Sequence, residues 1–255
     1  MEKVEEVFLD TTIQIDRYYT LKQDKEKINK ELENKTLISS SYVLGEFVAA
    51  FIADAILFHK TLSDEASATP MEALIRFSTI ASNRPRSYNR IHKLLSNIGA
   101  DINNKEKVKL RLEMFIENLF IERFKSLDIY INETGCVRAN PQIKKNGNLY
   151  ELDHGCSQRK KPKCDIKAFL ELNHNEVADI ISNKEPKDIA ENLNEISAGK
   201  KQPVGRACWG IGDAVIALEM PDEKVVLYTT NEKDYKPICK SINKNYFNPI
   251  KNKNK

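Results

Sequence analysis

The sequence predicts a three-layer α/β/α fold around a central, mostly parallel sheet, with a largely helical elaboration in the middle of the chain. Three observations predict it. Two short apolar runs near the N-terminus are each followed by a helical pattern. The same rhythm returns near the C-terminus. Their apolar residues are consecutive, as in Val7-Phe8-Leu9 and Leu37-Ile38, rather than alternating, which suits strands buried on both faces.

Val4 to Leu9 reads as the first strand, ending at Asp10. Thr11-Thr12 can cap a helix from Ile13 to Leu32, whose second half is charged. Leu37 to Ser40 is a second strand, and Ser41 is the expected N-cap of an apolar helix from Tyr42 to Phe58. This β-α-β-α order needs crossovers and so a parallel sheet covered by helices. Helical periods follow over Met71–Ala81, Ser87–Ser96 and Lys105–Leu119. Leu127 to Ile131 is a candidate strand. Thr134 to Pro162 reads as irregular, being rich in Gly, Asn, Lys and Cys. Ile166–Ile181 and Pro186–Ser197 are helical, and Ala198–Gly205 is a polar loop. The sheet rhythm resumes with a helix over Ile211–Met220, a strand over Val225–Tyr228, a short helix over Asp234–Lys240 and a last strand starting at Tyr246-Phe247. No linker or repeat divides the chain. The expected organisation is one domain over 1–255, formed by about 1–60 and 205–250, with an insertion at about 61–204.

The 255 residues are 41% hydrophobic and 30% charged, with a formal net charge of +3, so a core is available and the surface is ionised. That charge permits nucleic-acid contact without demanding it. No uninterrupted apolar run reaches the length of a membrane span. The start, Met1-Glu2-Lys3-Val4-Glu5-Glu6, lacks a signal-peptide pattern. Five widely spaced cysteines fit a reduced, cytoplasmic protein.

Acidic residues stand at the ends of the sheet elements. Asp10 ends the first strand, Glu46 lies in the second turn after the second strand, and Asp213 begins the helix preceding the later strand. Asn231 and Asp234 follow that strand directly. In a doubly wound sheet such positions share the carboxyl edge, where ligands bind. Converging carboxylates repel unless a cation neutralises them, and oxygen donors suit Mg²⁺ or Mn²⁺. One or two such ions can hold a phosphodiester and activate water. Each acid also has a plainer reading, as a helix cap, a turn residue or a solvated side chain. Asp16 and Glu232 are further acids close by in sequence.

These blocks resemble the PIN domain, a metal-dependent nuclease family that includes VapC-like toxins. The resemblance rests on Val7-Phe8-Leu9-Asp10-Thr11-Thr12, on Ser40-Ser41-Tyr42-Val43-Leu44-Gly45-Glu46-Phe47, on Gly212-Asp213-Ala214-Val215-Ile216-Ala217, and on Leu227 to Tyr235. It implies that Asp10, Glu46, Asp213 and Asp234 are catalytic metal ligands, that Asn231 joins them and that Thr230 orients a ligand or water. The family often has Asp where Asn231 stands. The resemblance further implies an endoribonuclease that hydrolyses RNA through metal-activated water, as a toxin, an antiviral effector or an RNA-processing enzyme. A homodimer or an inhibitory protein partner is compatible with it, and no membrane is implied. Two other readings share the acidic edge: a catalytically weak or inactive nucleic-acid-binding protein, and a DNA nuclease or phosphatase.

The insertion adds two features. Cys136, His154, Cys156 and Cys164 lie in a stretch too polar to make its own core, and are candidate ligands for a structural Zn²⁺. Unligated thiols in a loop are the alternative. Lys144-Lys145, Arg159-Lys160-Lys161-Pro162-Lys163, Lys200-Lys201 and the group Arg84, Arg86 and Arg90 are basic patches able to hold a phosphate backbone. Tyr88 and Tyr150 are candidates for stacking on unpaired bases.

Overall fold

The computed structural model describes residues 5–82, 85–99, 101–119, 124, 127–153, 155–156 and 163–251. Five strands make the central sheet: β1 (Glu6–Leu9), β2 (Thr36–Ser40), β3 (Ile129–Ile131), β6 (Val226–Tyr228) and β7 (Asn245–Phe247). Their spatial order is β3-β2-β1-β6-β7, and every pairing is parallel. The chain moves outward from β1 in one direction and from β6 in the other. The topological switch therefore lies between β1 and β6, and their carboxyl ends frame the crevice.

Side chains alternate across this sheet with the two-residue period of a strand. Val7, Leu9 and Tyr228 face one side, where Ile13, Ile28 and Leu32 cover them. Phe8, Ile38 and Leu227 face the other, in a larger core. Val7, Phe8 and Leu9 are wholly buried, each such side chain contributing roughly 1.5–3 kcal/mol. These two cores, on opposite faces, give the three-layer α/β/α architecture.

The first expected helix is two: α1 (Thr11–Tyr19) and α2 (Lys22–Glu31), separated at Thr20-Leu21. Asp10 is the N-cap of α1, its carboxylate accepting from the Thr11 N–H at 2.5 Å. After β2 the N-cap is Ser40, not Ser41, its hydroxyl accepting from the Val43 N–H. Helix α3 (Ser41–Phe47) continues through a π-helical turn, Val48–Ile52, into α4 (Ala53–Ser63). Together they form a 23-residue helix that is long and apolar enough to cross a membrane, and 78% of its most apolar window is buried inside the protein. Gly45, Glu46, Asp54 and His59 interrupt its apolar runs, which is why no span is visible by run length.

The insertion carries α5 (Pro70–Ile80), α6 (Pro85–Asn97) and α7 (Lys105–Met114), the last ending in a π-helical turn over Phe115–Leu119. The stretch expected to be irregular instead contains a 3₁₀ turn, Val137–Ala139, and an antiparallel hairpin of β4 (Gln142–Asn146) and β5 (Leu149–Asp153). The turn residues Asn146-Gly147-Asn148 were the available signal for a hairpin, but the flanking strands are polar and mostly exposed. Two helices, α8 (Ile166–Leu172) and α9 (His174–Asn183), replace the single one expected, and α10 (Lys187–Ser197) follows. A short α11 (Arg206–Trp209) leads to α12 (Gly212–Leu218), and α13 (Glu232–Ser241) joins β6 to β7.

The insertion docks at α3 through a missing side chain. A Cβ at Gly45 would lie 2.6 Å from Cys136 Sγ and 3.1 Å from Arg138 Cβ. Beside this contact Glu219, 2% exposed, accepts hydrogen bonds from the Ser40 and Thr134 hydroxyls. Burial raises its pKa from 4.5 to about 7, against the lowering effect of those hydrogen bonds. Between these values the folded chain holds a proton that the unfolded chain has released, so this group's contribution to stability falls as pH rises from about 4.5 to 7. Glu219→Gln, which never ionises, is expected to match the wild type below that window. Above pH 7 it should be more stable by up to roughly 3 kcal/mol. Urea unfolding at pH 4.5 and pH 8 checks this, and an equal effect at both would count against it.

Candidate functional site

At the carboxyl ends of β1 and β6 the chain leaves a cavity of about 1040 Å³, lined among others by Asp10, Glu46, Asp213, Thr230, Asn231 and Asp234. All six residues expected at the sheet edge therefore meet at one pocket, although they come from three separate parts of the chain. Small-ligand pockets reach roughly 300–1,000 Å³, so this one has room for an extended ligand.

Asp10 is the most constrained. It is 2% exposed. Its Oδ1 accepts from the Thr11 N–H and from the Tyr235 hydroxyl at 3.1 Å, and its Oδ2 accepts from the hydroxyls of Thr12 at 2.7 Å and Thr229 at 2.8 Å. Burial raises its pKa, and these four donors oppose the rise. Thr12 also accepts from the Thr230 N–H, and Thr229 accepts from the Asn231 N–H, which ties the β6 loop to α1. The residue that orients the acid is thus Thr229. Thr230 lines the pocket next to it.

Glu46 reaches the pocket from α3, and its Oε2 accepts from the Thr11 hydroxyl at 2.8 Å. A Cβ at Gly212 would overlap Glu46 Oε1, so the absence of a side chain there makes the space for this carboxyl. Burial pushes the Glu46 pKa to about 7; Arg138 lowers it and Asp10 raises it. Asp213, in the first turn of α12, is raised well above the ordinary carboxylate range by burial and then by Asp10, Glu46 and Asp234. Glu46 and Asp213 keep partial exposure through the pocket mouth while protein surrounds them elsewhere. Solvent there moderates the shifts, and their upward direction stands on both burial and mutual repulsion.

Asn231 sits between two of the acids. Its Nδ2 donates to Asp213 Oδ2 at 3.1 Å and to Asp234 Oδ2 at 3.0 Å. Asn231, expected among the ligands, bridges the two acids through its Nδ2, and half a turn of the amide would present Oδ1 instead. Among the described residues no three His, Cys, Asp or Glu side chains are gathered closely enough to form a ready-made metal cage. The four carboxyls share a pocket, Asp10 acts on Glu46, and Asp10, Glu46 and Asp234 act on Asp213 through their charge, while hydroxyls and Asn231 supply their hydrogen bonds. The donor set nevertheless suits a hard divalent cation: it is all oxygen, partly desolvated and self-repelling, and a cation would relieve that repulsion.

Sequence reading missed Thr12, Thr229, Tyr235 and Arg138. The first three sit beside recognised motif residues and are polar groups within reach of a buried acid. Arg138 gave no signal, since it comes from the insertion. It is 1% exposed, lines the pocket and is packed against the Tyr42 ring at 4.9 Å. Its Nε and Nη2 donate to Cys136 Sγ and Cys208 Sγ. Among the described residues it has no carboxylate ion-pair partner.

Several other candidates stand apart from the pocket. Asp16 is paired with Lys93 at 2.6 Å and Glu232 with Lys251 at 2.5 Å. Cys136, Cys156 and Cys164 lie near enough to one another that the first two raise the thiol pKa of the third, after burial. All three are free of disulfides, and His154 lies outside the described residues. Of the basic groups, Arg84 and Arg159 to Pro162 also lie outside them. Lys145 is bound to Glu113 and Glu117 and Lys201 to Glu195, whereas Arg86 and Arg90 both line the pocket, Arg90 also pairing with Asp54. Tyr150 is not a stacking surface. It is 7% exposed, packs edge-on against His59 and donates its hydroxyl to Glu117. No protein-family model, curated protein or solved structure matches the chain.

Proposed function

We propose that the chain is a PIN-like endoribonuclease that hydrolyses RNA phosphodiester bonds with Mg²⁺ or Mn²⁺. The observation that carries this reading is the meeting of Asp10, Glu46, Asp213 and Asp234 at one pocket over the switch point of a parallel sheet. These four carboxyls would hold the ion. When bound, it supplies an activated water and neutralises charge on the phosphodiester. The chain's own residues do the positioning. Four donors lock Asp10 in one rotamer, Thr11 holds Glu46, and Asn231 spans Asp213 and Asp234. Arg86, Lys187 and Lys233 line the same pocket and attract a phosphate backbone toward the acids. Mn²⁺-dependent cleavage of a mixed RNA pool tests the reading; an intact pool at every Mn²⁺ concentration would defeat it.

Cation binding is coupled to proton release in this reading. Because the Glu46 pKa is raised to about 7, a cation competes with a proton below that pH. Mn²⁺ affinity is expected to climb as pH rises from 5.5 toward 7, by up to about tenfold per unit for one released proton. It should level off above 7. Glu46→Gln is expected to bind Mn²⁺ at least about tenfold more weakly and with a flatter pH profile. Calorimetric titration across that range checks both, and wild-type affinity in Glu46→Gln would remove this residue from the site.

A second reading is favoured by the Asn231 clamp, which already satisfies Asp213 and Asp234 without a cation. In that case the protein binds nucleic acid and does not cleave it. Tight RNA binding with no metal-dependent cleavage is its signature.

A further inference from the structure

Trp209 is the single tryptophan of the chain, and it is 50% exposed. Such a ring ordinarily supplies apolar area to a core. Here the neighbouring residues do that instead. Ala207 and Cys208 are buried at 6% and 3%, and the Tyr42 hydroxyl donates to the Cys208 carbonyl at 2.6 Å. The backbone under Trp209 is therefore anchored to α3, the helix that carries Glu46. The indole is left on the wall of the acidic pocket, four residues before Asp213. Among the described residues no other aromatic ring stacks on it and no cation lies over its face. Arg86, Lys187 and Lys233 line the same cavity.

An open aromatic face beside both cations and carboxyls matches the chemistry of a single strand, which offers an unpaired base next to a phosphate. In a duplex the base faces are stacked and unavailable. We propose that Trp209 is the stacking platform for an unpaired base of single-stranded RNA whose phosphate lies over the carboxyls. It is a specificity-determining residue, and it restricts the pocket to unpaired strands. This rests on the reading of the pocket as a phosphodiester site.

Because there is only one tryptophan, its emission reports on this position alone. The experiment titrates the full chain with three 12-nucleotide RNA probes, with Ca²⁺ in place of Mn²⁺ as the oxygen-binding cation: a single strand, an abasic strand of equal charge and a blunt self-complementary duplex. Emission and the anisotropy of a labelled end are followed together. The single strand is expected to quench the emission, and the abasic strand and the duplex to quench little. Trp209→Ala should lower single-strand affinity about tenfold while leaving the salt dependence unchanged, since stacking releases no counterions. Trp209→Phe should retain part of the affinity. Circular dichroism confirms that both variants are folded. Binding seen by anisotropy with unchanged emission, wild-type affinity in Trp209→Ala, or no binding of the single strand would each overturn the proposal. Quenching together with an absence of Mn²⁺-dependent cleavage would remove the nuclease reading and leave the Trp209 platform standing. Cleavage with equal KM in wild type and Trp209→Ala would do the reverse.

Discussion

Asp10→Asn is expected to abolish Mn²⁺-dependent RNA cleavage, by at least about 100-fold, and to weaken the fold at the same time. Both effects follow from one arrangement. The buried carboxylate accepts four hydrogen bonds, from the Thr11 N–H and from the hydroxyls of Thr12, Thr229 and Tyr235. Asparagine puts an NH₂ group among these donors and removes a charge that a cation needs. A hydroxyl can turn to accept instead, but Thr12 and Thr229 already accept from the Thr230 and Asn231 N–H groups. A mismatched buried donor costs about 1–3 kcal/mol, so a lowered melting temperature should accompany the loss of activity. Cleavage assays alongside thermal unfolding separate the effects. Asp10→Asn that cleaves like the wild type would remove Asp10 from the chemistry, whatever its stability.

The second large effect is expected from a residue with no chemistry of its own. In Gly212→Ala the new methyl would overlap Glu46 Oε1, far inside contact distance. Backbone strain is not involved, because this position adopts no left-handed conformation. The carboxyl must leave its place, and with it goes the bond from the Thr11 hydroxyl. Cleavage is expected to fall by at least about tenfold, for positioning losses near 1 Å can cost on the order of 100-fold. Mn²⁺ affinity should fall with it. Stability should change less, since Glu46 can swing toward the pocket mouth. Parallel measurement of Mn²⁺ affinity and melting temperature distinguishes a moved ligand from a damaged core. Unchanged Mn²⁺ affinity would show that Glu46 does not hold the ion from this position.

Much of the sheet was legible because its strands are short apolar runs bounded by polar residues, as in Val7-Phe8-Leu9 before Asp10. The helix breaks were less legible. Thr20-Leu21 and Asn173 divide segments whose apolar period continues across them. The β4–β5 hairpin escaped because its residues are mostly exposed, and exposed polar strands leave no hydrophobic pattern. At the site, acids at element ends were readable from local order, while their hydrogen-bond partners were not. Thr229 and Thr230 are equivalent as sequence. Only the pairing of β1 with β6 points the Thr229 hydroxyl at Asp10.

The sequence by itself determined the alternation of strands and helices and the placing of acids after β1, within α3 and on either side of β6. Those features depend on burial periodicity and capping, which act over a few residues. The tertiary structure alone decided that Gly45 admits Cys136 and Arg138, that Gly212 admits Glu46, and that Trp209 lines the acidic pocket half-exposed instead of being buried in the core. Each of these is a contact between elements distant in the chain. The physical reason is steric. Which side chain fills a gap is set by the shape of surfaces that exist only once the sheet and its helices have packed.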